Sequence, residues 1–133
     1  MEAGLIAKLG SVAARRTVVV THYGRKSGKP YKVTIWFAVA GEQVYLTTAN
    51  VQRQWVQNVR KTPQVSLLIG GVLFEGEARF LDDPSEHARA MAAIREKYWI
   101  YTPLFLLWGL FQRAGWVQDR TGSFEVTLTR TTS

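Results

Sequence analysis

The chain has 133 residues, nearly half of them apolar or aromatic, which is the size and composition of one domain with a core of its own. It contains no cysteine, which excludes disulfides, thiolate metal sites and cysteine nucleophiles, and it carries a formal charge of +7. Its first residues lack the apolar stretch of a secretory signal, and no apolar run reaches the roughly 18 residues of a membrane span, so the expected location is the cytoplasm.

In chain order, residues 4–16 place Leu5, Ile6, Leu9 and Val12 or Ala13 at helical spacing before the pair Arg15-Arg16, predicting a short amphipathic helix. Residues 17–21 are a β-branched run, and residues 31–40 an aromatic and β-branched one; the two read as strands joined by a long hairpin. Ala40-Gly41-Glu42 is a tight turn into a third strand, 43–48. Over 52–61 the spacing becomes helical, with Trp55, Val56 and Val59 on one side and Arg53, Gln57, Arg60 and Lys61 on the other; Thr62-Pro63 ends it. Strands over 65–69 and 72–81 flank Gly70-Gly71, a pair suited to a turn in which both central residues need positive φ. Asp83 as N-cap, Pro84 at the first helical position and Glu86 begin a helix that runs to about Tyr98 and buries Met91, Ile94 and Tyr98. An aromatic-rich segment, 98–116, precedes a last strand at 124–129. Six strands with short turns and interposed helices describe a small antiparallel barrel, a mainly β fold of α+β type.

Twelve of the 17 basic residues gather in four groups, 15–16, 25–32, 53–61 and 89–97, with no helix-turn-helix, zinc finger or aromatic-basic signature beside them. Nucleic acid is therefore disfavoured against a small anionic ligand. The turn Gly24-Arg25-Lys26-Ser27-Gly28-Lys29 is where such a ligand would bind, since consecutive amides of a glycine turn form a concave anion site that Arg25, Lys26 and Lys29 surround with charge. It is not a nucleotide-triphosphate loop, because the Gly-Lys-Ser/Thr ending and the following helix are missing and Pro30 leads into a strand. Taken alone, the turn reads first as a solvated, charged hairpin.

Its surroundings change that. The order Thr21-His22-Tyr23-Gly24-Arg25-Lys26-Ser27-Gly28-Lys29-Pro30, then Ile35-Trp36-Phe37, then Tyr45-Leu46-Thr47-Thr48-Ala49, then Trp55-Val56-Gln57-Asn58-Val59-Arg60-Lys61-Thr62-Pro63, resembles the deazaflavin-dependent nitroreductase family of the split β-barrel, flavin-binding and pyridoxamine-phosphate-oxidase-like superfamily. The resemblance implies an antiparallel split barrel of six to seven strands. It has a short N-terminal helix, a helix inserted between strands and helices before the last strand, and it is usually dimeric. It also implies coenzyme F420, or alternatively FMN, in a groove between barrel and helices. By position, Arg25, Lys26 and Ser27 would hold the phosphate or polyglutamate tail, the backbone near Trp36 and Phe37 would border the ring, and Thr48, Ala49 and Asn50 would meet the phosphate or ring edge. Tyr31 followed by Lys32 stands where many relatives carry an arginine after the proline, and the stretch 49–54 lacks the glycines of a longer one in relatives, leaving Lys32 and Arg53 as the cations at those places. The implied activity is hydride transfer from reduced F420 to an electron-poor or lipophilic small molecule such as a quinone or a nitro compound, without a metal.

Alternatives stay open at this level: an FMN-dependent reductase on the same barrel, or a non-enzymatic carrier or sensor of fatty acid, haem or another hydrophobic anion. His22, Tyr98 and Tyr101 are the candidates for proton transfer, although a strand-end histidine is more often structural. Tyr98, Tyr101 and Trp108 are candidates for a substrate pocket. Trp55 reads as a packing anchor, Asn58 as a cap or strand partner, and His87 as a surface residue. Leu104 to Phe111 with Arg113 also suits peripheral contact with the inner membrane surface.

Overall fold

The computed structural model describes residues 3–98 and 121–132. Helix α1 (Ala3–Val12) leads into strands β1 (Thr17–Tyr23), β2 (Pro30–Ala40) and β3 (Gln43–Thr48). Helix α2 (Gln54–Lys61) follows, then β4 (Gln64–Ile69), β5 (Val72–Phe80), α3 (Pro84–Lys97) and β6 (Gly122–Thr132). The described strands close into a six-stranded antiparallel barrel in the order β1-β2-β3-β6-β5-β4. The expected helices between α3 and the last strand fall outside the described residues.

Strand alternation builds the core. Val18 and Val20 of β1, Phe37 of β2, Val44 and Leu46 of β3, Leu67 and Ile69 of β4, Phe74 of β5, and Phe124 and Val126 of β6 are buried in one cluster. Helix α1 adds Leu5, Leu9 and Val12, and α2 adds Trp55, Val56 and Val59. Helix α1 ends at Val12, short of the expected Arg16, and β1 runs two residues further than its β-branched run, through His22 and Tyr23, because each finds a partner across the hairpin in Tyr31 and Pro30. Helix α2 starts two residues late. Asn50 Oδ1 accepts from the Gln52 amide, and the Thr48 hydroxyl both accepts from Asn50 N–H and donates to its carbonyl, which holds residues 50–53 in a turn.

Local signals elsewhere match. Gly70 and Gly71 adopt φ of 56° and 83°, and Asp83 Oδ1 caps α3 by accepting from the Ser85 amide. At Gly76 the register of β5 against β6 shifts, and a Cβ there would stand 2.6 Å from the Thr127 carbonyl oxygen, so only glycine fits the irregularity.

Tyr98, expected both as a residue that α3 buries and as a substrate-pocket candidate, is a buried strut. It is 4% exposed, stacks on Trp36 with ring centroids 4.2 Å apart, and donates its hydroxyl proton to the Arg16 carbonyl at 2.5 Å while accepting from the Phe37 amide at 3.4 Å. Burial of the phenol between the Arg16 carbonyl, just before β1, and the Phe37 backbone fixes the end of α3 against β2. Tyr98→Phe should cost about 1–2 kcal/mol of stability, read from urea unfolding, because the Arg16 carbonyl loses its donor. His87 is also more enclosed than a surface residue: it is half-buried, with Nδ1 2.7 Å from the buried Ser123 hydroxyl.

Candidate functional site

Strand β2 changes partner along its length. Residues 30–36 pair with β1, and only residues 37–40 pair with β3, while the far end of β3 pairs with β6 alone. The stretch 33–36 therefore stands apart from Thr47 and Thr48, and this opening in the wall gives two adjoining clefts.

The larger, about 1010 Å³, lies between the 24–29 turn, the start of β2 and the front of α2. Arg25, Lys26, Lys32 and Arg53 line it, and no carboxylate does among the described residues. The ion pairs found among the described residues, Arg79 with Glu86 and Glu125 and Arg130 with Glu75, lie elsewhere. Four cations around one cavity without a counter-charge repel one another, and a bound polyanion relieves that repulsion.

The turn itself is organised differently from a simple row of free amides. Gly24 N–H donates to the Lys29 carbonyl, Gly28 N–H to the Gly24 carbonyl and Lys29 N–H to the Ser27 hydroxyl, so these three are consumed in holding the loop. The amides of Arg25, Lys26 and Ser27 donate to no acceptor among the described residues and remain for a ligand. Gly24 is required by contact, since a Cβ would stand 2.9 Å from Ser27 Oγ and 3.0 Å from the Tyr31 ring. Gly28 is required by its φ of 69°.

Arg25 is pinned to α2. Its Nη1 donates to Asn58 Oδ1 at 3.1 Å and to the Gln54 carbonyl at 3.4 Å, and Lys61 Nζ donates back to the Arg25 carbonyl at 3.0 Å. Asn58 Nδ2 in turn lies 3.0 Å from Nδ1 of His22, whose pKa burial lowers from its ordinary value. Asn58, read from sequence as a cap or strand partner, thus sits in the wall of the cleft. Its signal was available: it lies three residues after Trp55 on the apolar stripe of α2, where a polar residue needs partners.

The smaller cleft, about 450 Å³, is lined among the described residues by Val33, Ile35 and Trp36 of β2, Thr48 at the end of β3 and Ala49 after it, and Met91 and Ile94 of α3. The clefts share Val33, Arg53 and Trp55. Trp55 is 5% exposed and packs on Phe124 at 5.6 Å, so it is both the packing anchor expected and the partition between the clefts.

The structure thus gathers Arg25, Lys26, Ser27, Lys32, Arg53 and His22 around the first cleft and Trp36, Thr48 and Ala49, with Arg53 again, around the second. Phe37 and Asn50 line neither. The Phe37 side chain is fully buried in the barrel, and its carbonyl accepts from Lys97 Nζ at 3.0 Å; Asn50 is spent on the turn before α2. Tyr101 and Trp108 lie outside the described residues. Among the described residues no cluster of metal-binding side chains occurs, and no helix is long and apolar enough to cross a membrane.

An antiparallel barrel opened beside one strand, with a polycationic cleft continuous with an apolar one, defines the class of split β-barrel folds. Solved structures agree. A conserved hypothetical protein of Mycobacterium tuberculosis superposes with a TM-score of 0.71 at 22% identity, covering 98% of this chain and 82% of the other. A pyridoxamine 5′-phosphate oxidase candidate from Listeria innocua gives 0.65 at 16% identity, with 96% of each chain covered. A protein named F420 reductase gives 0.63 at 16% identity, covering 92% of this chain and 94% of the other. No curated protein matches the chain significantly. Residues 5–103 match the model of the F420H(2)-dependent quinone reductase family, and the chain belongs to that family. It is an F420-dependent oxidoreductase, and coenzyme F420 is its cofactor.

The cleft residues fit that group. A phosphate followed by a chain of carboxylates needs several cations and free amide donors in sequence, which is the donor set the 24–29 turn, Lys32 and Arg53 provide.

Proposed function

We propose that the protein reduces a quinone at the expense of F420H2, with the anionic tail of the coenzyme in the larger cleft and its ring in the smaller. The observation that carries this reading is the union of four uncompensated cations with an adjoining apolar cleft across Trp55. One phosphate, as in FMN, has less use for four cations than a phosphate with a carboxylate tail. A hydrophobic carrier has less use for them still.

When bound, the reduced deazaflavin supplies a hydride, and F420H2 with a quinone yields F420 and the hydroquinone with electrons and protons in balance. The chain's own residues do the holding. Arg25, Lys26, Lys32, Arg53 and the amides of 25–27 bind and orient the tail, which places the ring without touching its reacting atoms. Val33, Ile35, Trp36, Met91 and Ile94 form an apolar wall that excludes water and suits a flat, lipophilic acceptor. A nitro compound meets the same electronic requirement, but the apolar lining favours the quinone.

The test is a parallel titration of the full chain with F420 and FMN at low salt, followed by oxidation of F420H2 with a soluble quinone and with a nitroimidazole. Saturable F420 binding at least about tenfold tighter than FMN, and faster turnover with the quinone, are expected. Tighter FMN binding, or binding of neither, overturns the reading; faster nitroimidazole turnover overturns the choice of acceptor.

A further inference from the structure

The Arg25–Asn58–His22 chain determines more than packing. A guanidinium has only donors, so the atom of Asn58 that faces Arg25 at 3.1 Å must be the amide oxygen. The amide nitrogen then faces His22 Nδ1 at 3.0 Å, and because that nitrogen also only donates, Nδ1 must be the bare ring nitrogen. His22 is consequently neutral, with its proton on Nε2. Among the described residues no buried side-chain nitrogen or oxygen lacks a partner, and Nε2 bonds to no protein atom among them, so Nε2–H is reached from the cleft that His22 lines.

We propose that Asn58 is a positioning residue for the coenzyme's anionic tail: its carbonyl holds the Arg25 guanidinium against α2, and its amide nitrogen fixes His22 as the Nε2–H tautomer, adding a neutral donor to the cleft. The proposal rests on the cleft being the anion site. It also changes what His22 does. A neutral imidazole whose Nδ1 is occupied as an acceptor offers its Nε2–H as a hydrogen-bond donor and is far too weak an acid to protonate a substrate. His22 is a binding residue, and a substrate proton does not come from it.

Geometry explains why the chain is built this way. Arg25 is exposed at the tip of a turn and would sample many rotamers if unheld, each diluting the productive one. Asn58 is 5% exposed and rigid in mid-helix, so anchoring Nη1 there leaves Nε and Nη2 for the ligand at reduced entropic cost. Protonation of His22 would set two donors against each other at 3.0 Å and force the amide off one of its partners.

The experiment combines nitrogen NMR of the imidazoles with a double-mutant cycle on F420 affinity. In the unsubstituted protein the His22 ring should show Nε2–H and a bare Nδ1. Asn58→Asp, which can only accept, should move the proton to Nδ1 or raise the His22 pKa. Asn58→Leu should weaken F420 binding about tenfold in the natural background and less than about threefold once Arg25 is alanine. An Nδ1–H tautomer in the unsubstituted protein, or an Asn58→Leu effect of equal size in both backgrounds, overturns the proposal. Arg25→Ala without effect on F420 affinity would instead overturn the cleft reading on which it rests. Should Asn58→Leu fail to fold, the tautomer in the unsubstituted protein decides alone.

Discussion

If the larger cleft holds the tail as proposed, replacing Arg25 and Lys26 together by alanine should weaken F420 binding by about 100-fold, the loss of two charge-assisted contacts. The residual affinity should depend less on salt than that of the unsubstituted protein, because fewer exposed charges are left to screen. Fluorescence titration at two ionic strengths checks both parts. The variant should still fold, at a cost of about 1–2 kcal/mol because the buried Asn58 Oδ1 loses its Arg25 donor, since neither side chain joins the apolar core and the turn is closed by its own backbone and by Ser27. An unchanged affinity would remove the larger cleft as the anion site. A large loss with an unchanged salt slope would mean that the turn acts by shape rather than charge.

Trp55→Ala should produce the largest loss of stability among the cleft residues, about 3–5 kcal/mol, because a buried indole packed on Phe124 leaves a cavity the barrel cannot close over. It should also alter binding in a way that a remote core truncation does not. Trp55 lines both clefts, so its removal merges them, and on the proposed placement the ring of the coenzyme would lose a flat apolar neighbour while the cations around its tail stayed in place. Denaturant unfolding gives the first quantity. F420 titration at a temperature where the variant is folded gives the second, with Phe74→Ala, buried in the same core but lining neither cleft, as the comparison. Equal effects of the two variants on F420 affinity would show that Trp55 contributes stability alone.

The sequence by itself determined the described elements and their order. The β-branched run Val18-Val19-Val20, the Gly70-Gly71 pair, Asp83-Pro84 and the Trp55-Val56-Val59 stripe each carry a local cause, a backbone preference or an apolar spacing, that acts within a few residues. The basic turn was legible for the same reason, since glycine and charge sit side by side in the chain. What only the tertiary structure decided is how the elements meet one another in space. The exchange of partners along β2, which opens the wall, depends on how far β1 and β3 each extend in register, and no residue in 33–36 announces it. Phe37 and Trp36 are adjacent and both aromatic, yet alternation sends one into the barrel and leaves the other beside the smaller cleft. Tyr98 reads as a pocket aromatic until the Arg16 carbonyl, 82 residues away, claims its hydroxyl. Asn58, Arg25 and His22 lie on a helix, a turn and a strand, and their donors and acceptors match only once the barrel has brought the three together. Hydrogen-bond complementarity of that kind is a property of positions in space, which local pattern does not encode.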